Sequence, residues 1–412
     1  MTIATGVAKS VAYKAETTWA TAAGASGATY LRRVSCDLDQ TKGVYESQEI
    51  RTDYQIADSR DGVKMAKGTL KGELSPGSYS ALMAAALRKA FVAVSALTSL
   101  SITIAAGSTV NGVQEYTVTR ASGSFLTDGL KIGNVIRLTA GSFTAGNLNN
   151  NLLIVALTAT VATVIVLNGS SLTAEGPIAS ATVTMPGKKT YVPTTGHTDT
   201  SFTIEQRYSD VSQYETYLGC KVASMAIALP ATGFATVDFG FMGQCRSSAL
   251  SGSSAYFSSP SAASSTGLLT SNSGILIANG SPVAIVTGAN LQYDGGMTAP
   301  AGVVGSNLIP AIFQGRAKFS GDFSPYFEDG TYRDLFDAET ALDLMLCLTT
   351  GSANAADFVS LYLSNIKLGG ASKDDGEKGL VQKVPFRALI NSSGGSGTAY
   401  EQSTISIHDS QA

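Results

Sequence analysis

One strand–turn–helix passage is written twice in this chain. GTLKGELSPGSYSAL begins at Gly68, and AKFSGDFSPYFEDGTYRDL begins at Ala317. Gly72-Glu73-Leu74-Ser75-Pro76 matches Gly321-Asp322-Phe323-Ser324-Pro325. After a four-residue insertion, Gly77-Ser78-Tyr79-Ser80-Ala81-Leu82 matches Gly330-Thr331-Tyr332-Arg333-Asp334-Leu335. Each copy alternates polar and apolar residues, breaks at proline and then turns helix-forming. Later blocks keep the same order: 218–229 answers 359–369, and 234–243 answers 380–389. A duplication on this scale points to an architecture built by repetition.

Outside the repeats the order predicts an extended arm at 1–30 around Trp19. The first repeat occupies 31–94 and 190–246, interrupted by 95–189, a series of short strand runs separated by Gly/Asn/Ser turns. A Ser/Ala-rich linker follows at 247–272, then the second repeat at 273–412. Helices are expected at 78–91 and 328–341. The fold class is mainly β: two tandem β domains, each with one helix, plus an inserted small all-β domain. The insert is expected to be independent, with its ends close together and its deletion tolerated.

Charged residues make up 14% of the 412, against 44% hydrophobic, and net charge is −3. A surface of small uncharged side chains suits packing against other copies, because few charges need desolvation. With no basic block, tight phosphate binding through many lysines and arginines is not expected. The opening MTIATGVAKSVAYKAE lacks the apolar core of a secretory signal, and no run of eighteen apolar residues predicts a membrane helix. Cys36, Cys220, Cys245 and Cys347 form no CxxC pair, so buried free thiols are expected.

Groups that could do chemistry are sparse. His197 and His408 have no metal-site spacing, and both read as solvated turn histidines. No GxSxG, GxxxxGK[ST] or strand-borne GxGxxG occurs. Lys373-Asp374-Asp375-Gly376-Glu377-Lys378 lacks the ligand alternation of a calcium loop and reads as a charged hairpin loop suited to touching a neighbouring molecule. No catalytic residue, metal or cofactor is therefore expected. Alternation places Thr69, Lys71 and Glu73, and likewise Lys318, Ser320 and Asp322, opposite Leu70, Leu74, Phe319 and Phe323. Those polar sets are either solvated strand faces or the lining of something.

The chain resembles the major tail tube proteins of long-tailed, non-contractile phages. The likeness rests on VAYKAETTWAT, YLRRVSCDLDQTKGVYESQEIRTDYQIADSRDG, GTLKGELSPGSYSALMAAAL, IFQGRAKFSGDFSPYFEDGTYRDLF and IKLGGASKDDGEKGLVQKVPFRALI. The resemblance implies tail-tube-like β-sandwiches, each with a flanking helix, in stacked rings whose inner wall is continuous β-sheet. On that reading Thr69, Lys71, Glu73, Lys318, Ser320 and Asp322 line the lumen, and Lys373, Asp374, Asp375, Glu377 and Lys378 lie in an inter-ring loop. The implied partners are further copies of the chain and the tape measure, tail terminator and distal tail proteins. With about four strands per domain and two domains per chain, a wall of about twenty-four strands makes the expected ring a homotrimer of pseudo-sixfold symmetry. Genomic DNA would pass without sequence-specific binding, and no membrane is involved. The implied location is the virion tail, assembled in the host cytoplasm, with the insert on the tube's outer surface. A secreted β-rich adhesin or glycan-binding module is the alternative, and a β-sandwich hydrolase comes third.

Overall fold

The computed structural model describes residues 3–168, 171–283 and 285–412. The chain is mainly β, with α-helices only at Ser80–Leu87 and Thr331–Asp337 among the described residues. Its centre is an antiparallel sheet that runs through both repeats. The first repeat contributes Ser35–Cys36 with Asp39–Glu46, then Ser59–Glu73, Thr236–Gly243 and Gln213–Leu229, in that spatial order. Next to Gln213–Leu229 lies Val286–Asp294 of the second repeat, followed by Lys318–Pro325, Gln382–Ala388 and Phe358–Leu368. The repeats therefore join edge to edge inside one chain, with Ala226 opposite Gln292 and Ile227 opposite Leu291.

Behind this sheet lies a second layer. In the first repeat it consists of Lys9–Ala15, Phe202–Tyr208 and the early part of Gln213–Leu229. In the second it consists of Gly274–Ala278, Leu342–Thr349, the early part of Phe358–Leu368, Ser406–Asp409 and Lys188–Tyr191. Leu70, Leu74, Phe239, Phe319 and Phe323 from the front layer share one core with Phe202, Ile204, Leu346 and Leu361 from the back. Alternating strands with one apolar face have no other way to remove that face from water.

The helices are shorter than their sequence pattern predicts. Ser80–Leu87 buries Leu82, Met83, Ala85, Ala86 and Leu87, and it stops where Arg88 turns left-handed (φ 60°). Arg88 then reaches across the repeats, donating to the Gly315 carbonyl at 2.8 Å.

Two connecting stretches are more ordered than their composition implies. Lys9–Ala15, placed in an extended arm by sequence, is a strand paired along its length with Phe202–Tyr208, because Val11 and Ala12 are fully buried there. The Glu16 carboxylate anchors the chain just beyond that strand, accepting from Ala20 N–H, Ser201 Oγ, Thr203 Oγ1 and Gly219 N–H. The 247–272 segment is laid over the same layer rather than hanging free. Phe257 and Leu269 are buried, and the Tyr256 and Phe257 N–H groups donate to the buried Glu205 carboxylate.

The insert forms a closed six-stranded barrel from Leu97–Val110, Val113–Arg120, Val135–Ala140, Leu152–Leu157, Val161–Val166 and Glu175–Thr184. Its entry and exit are tied where Val92 and Lys189 exchange backbone hydrogen bonds of 2.8 and 3.0 Å. It shares a core with the second repeat. Ile277, Met345, Cys347, Phe358 and Tyr362, from the back layer of the second repeat, belong to the same apolar cluster as the barrel's Leu130, Ile136 and Leu153. Gly133 (φ +85°) sits so close to Tyr362 that a Cβ would stand 2.6 Å from the tyrosine Cβ. Lys131 Nζ donates to the Gly395 and Thr398 carbonyls at 2.6 Å each, and Ser360 Oγ donates to the Gly133 carbonyl at 2.8 Å.

The expectation of a solvated His408 fails at this junction, while His197 is exposed. His408 is buried between barrel and back layer: Val135 N–H donates to Nδ1 (3.0 Å) and Nε2 donates to the Pro186 carbonyl (2.7 Å). Burial holds the imidazole far below its ordinary range, to about 3, and lifts the neighbouring Asp409 carboxyl to about 6. The two act on stability with opposite signs. Between pH 6.5 and about 3 the unfolded chain binds a proton at His408 that the native state refuses, so stability falls with pH. Between about pH 6 and 3.8 the native state binds a proton at Asp409 that the unfolded chain does not, so stability rises as pH falls. Asp409→Asn removes only the second effect. The variant should lose stability relative to the parent from pH 6 to pH 4, by up to about 1.4 kcal/mol per pH unit. Urea midpoints at pH 7, 5 and 4 measure this, and a variant-to-parent difference that is constant over the range would refute it.

Candidate assembly surface

Register turns the central sheet into a set of residue rows. One row reads Ser35, Lys71, Asp238, Ala226, Gln292, Ser320, Arg387 and Lys367, each directly opposite the next across the strands. All eight are exposed or partly exposed. One residue along, on the other face, the row reads Cys36, Leu70, Phe239, Met225, Tyr293, Phe319, Ala388 and Ile366. Seven of these are buried and Ala388 is half-buried. The period of two that separates faces is thus kept in register across both repeats.

The six residues proposed from sequence fall on one face and in three adjacent rows. Lys71 and Ser320 share the Ser35–Lys367 row. Thr69 joins Lys318 through Gly240, Ser224 and Asp294, and Glu73 joins Asp322 through Thr236, Ala228 and Asn290. Sequence reasoning missed Asp238, Gln292, Asp294, Arg387 and Lys367 on the same face. The alternation in Thr236–Gly243 and Gln382–Ala388 carries that signal, since Val237, Phe239, Val384 and Phe386 are the buried partners.

Charges on this face are mixed and locally cancelled. Lys71 Nζ lies 3.6 Å from Asp238 Oδ2, and Lys383 Nζ lies 3.9 Å from Asp322 Oδ1. At these distances, and with both lysines exposed, such pairs add little stability, typically about 0–1 kcal/mol. Their consequence is a hydrophilic surface without a strong field of either sign.

The two rims of the sheet differ. From one rim project Asp39–Glu46 and the early part of Ser59–Glu73, a hairpin whose 47–58 tip leaves Ile50 and Tyr54 99% exposed. The second repeat's counterpart, 295–317, leans on that hairpin: Lys64 N–H donates to the Asn307 carbonyl at 2.8 Å. At the opposite rim are the 230–233 turn and the 369–381 loop. Lys373, Asp374, Asp375, Glu377 and Lys378 are all exposed there. The Asp374 carboxylate accepts from Val381 N–H (2.7 Å) and the Lys373 ammonium stands 4.0 Å from the centre of the Phe327 ring, so the loop's own contacts use both groups. No group of three or more potential metal ligands occurs among the described residues. No helix among them is long and apolar enough to cross a membrane. The four cysteines are free and buried.

A family model described as phage tail tube protein matches residues 6–388. No curated protein matches the chain.

Proposed function

The chain belongs to the phage tail tube protein family, and from that premise we propose that it polymerises into stacked rings forming the tube of a long, non-contractile tail, through which genomic DNA leaves the virion. The observation that carries this reading is the eight-strand sheet with a single mixed-charge polar face spanning both repeats. A wall past which DNA must slide needs hydrophilic groups without a cationic excess, because a basic lumen would hold duplex through counterion release. Thr69, Lys71, Glu73, Lys318, Ser320 and Asp322 are the lumenal residues on this reading. The barrel covers the back layer, on the far side of the core, and so lies outside the tube.

Three chains complete one ring. With strands about 4.8 Å apart and tilted about 40°, twenty-four strands close at a backbone diameter near 48 Å, or a bore of roughly 38 Å after side chains. Six chains of eight strands would give a backbone diameter about twice as large. Each chain supplies two adjacent sixths of the wall, which accounts for the duplication. The 369–381 loop and the 47–58 tip leave opposite rims, as the two sides of a ring-to-ring contact must. Tape measure, terminator and distal tail proteins are the further partners, and assembly takes place in the host cytoplasm.

Electron microscopy of the purified chain, with native mass measurement of single rings, tests this. Rings or tubes whose unit mass equals three chains are expected. A mass of six chains would defeat the stoichiometry, and a persistent monomer that binds glycans would favour the adhesin alternative.

A further inference from the structure

Given that reading, the internal junction between the repeats predicts the junction between chains. Two edges of the central sheet lack a neighbour among the described residues. Ser35–Cys36 pairs only with Ser59–Glu73. At the other end Leu342 lies opposite Ile366, so the stretch beginning at Lys367 pairs only with Gln382–Ala388.

The repeat equates these edges with the two sides of the internal junction. Lys71 and Ser320 hold the same place in the duplicated passage; Ser35 lies opposite Lys71 and Gln292 opposite Ser320. Likewise Ala226 reaches Lys71 through Asp238, while Lys367 reaches Ser320 through Arg387. Ser35 is thus the counterpart of Gln292, and Lys367 that of Ala226. Inside the chain those counterparts face each other.

We propose that the Val34–Ser35 edge of one copy pairs antiparallel with the Lys367–Leu368 edge of the next, in the register of the internal junction: Ser35 opposite Lys367, and Val34 opposite Leu368. A second observation supports the partner. Val34 is 63% exposed, whereas Leu291, its counterpart at the internal junction, is 5% exposed opposite Ile227. Val34 N–H donates to the Lys71 carbonyl and the Cys36 carbonyl accepts from Lys9 Nζ, so what this edge offers a neighbouring strand is the exposed valine side chain rather than a full row of free backbone groups. Leu368 of a second copy provides the apolar partner. The contact is head-to-tail and heterologous, the kind that generates closed rings. It also prolongs the polar row, with Lys367 of one copy followed by Ser35 of the next.

Cysteine pairs read the register directly, since Cβ atoms of directly opposite residues are about 4.5–5.5 Å apart and those two residues out of register stand too far apart for an unstrained disulfide. Three double variants are oxidised in assembled rings: Ser35→Cys/Lys367→Cys, Ser35→Cys/Asn365→Cys, and Ala226→Cys/Gln292→Cys as an internal control. The first should run on denaturing gels as covalent two- and three-chain species accounting for most of the protein. The second should stay largely single-chain, and the third should change mobility without changing mass. Rings that form without cross-linking in the first variant, or cross-link better in the second, overturn the seam while leaving the tail-tube reading intact. A parent chain that forms no rings removes both. A ladder beyond three chains upholds the seam and defeats the count of three.

Discussion

Replacing residues 97–184 by a short Gly/Ser bridge should abolish soluble folded protein. The chain ends could be rejoined, because Val92 and Lys189 already touch. The difficulty lies on the second repeat. Ile277, Met345, Cys347, Phe358 and Tyr362 are each at most 3% exposed, and the barrel packs with them in one cluster. Uncovering a large apolar side chain costs roughly 1.5–3 kcal/mol. Several at once rival the whole stability of an ordinary domain, about 5–15 kcal/mol. The deletion would also strip His408 of Val135, leaving Nδ1 without its donor. Soluble yield and the far-ultraviolet circular dichroism melt measure the outcome. The same deletion carrying Ile277→Thr, Met345→Lys and Phe358→Thr should recover part of the soluble yield, because the bared surface becomes polar. A plain deletion that is soluble and melts with the parent would show that the barrel is an autonomous appendage after all.

The contact between barrel and back layer is invisible in the sequence, whereas the central sheet is legible there because its signals are local. The Gly72–Pro76 passage and its copy at Gly321–Pro325 can be read by eye, and the period of two separates Leu70 and Leu74 from Lys71 and Glu73 without reference to any other segment. Pairing across the sheet then only had to respect that period, which is why the six polar residues share one face. The failures all concern contacts made far along the chain. By the period of two His408 falls with Ser406 on the face opposite Ile405 and Ile407, and nothing local announces that Val135 and Pro186 will enclose it. In 247–272 the abundance of serine and alanine hides two anchors, Phe257 and Leu269, whose burial depends on strands far away in sequence. Lys9–Ala15 is short and small-residue-rich, and it becomes a strand because Phe202–Tyr208 offers it an edge. Ile50 and Tyr54, 99% exposed at the hairpin tip, have no part in the buried core, so their apolar character is not explained by folding.

Substitution at adjacent positions of the central sheet should give very unequal results. Phe323→Ala is expected to cost about 3–5 kcal/mol, the range for emptying a buried aromatic site. Phe323 is fully buried, lies edge-on to Tyr332 with ring centres 5.2 Å apart, and sits opposite Ala289 and Val384. Ala289 is too small to fill the space and Val384 is held by its strand, so the site can collapse only in part and a cavity remains. Leu74→Ala, the equivalent change in the first repeat, should cost about 2–5 kcal/mol. Asp322→Ala, one residue away on the polar face, should stay within about 0.5 kcal/mol, because its lysine partner is solvated and 3.9 Å distant. The double variant Phe323→Ala/Tyr332→Ala should cost less than the sum of the single changes by about 0.5–1.5 kcal/mol, the coupling of an edge-to-face pair. Guanidinium unfolding of the parent and these variants, with Tyr332→Ala alone to close the cycle, supplies the differences under non-assembling conditions. Equal midpoints for Phe323→Ala and Asp322→Ala would mean that the two faces are not distinguished energetically, and the sheet would then have no dry side to set against its wet one. A large loss at Asp322 would likewise refute the assignment of that side chain to the solvated face of the sheet.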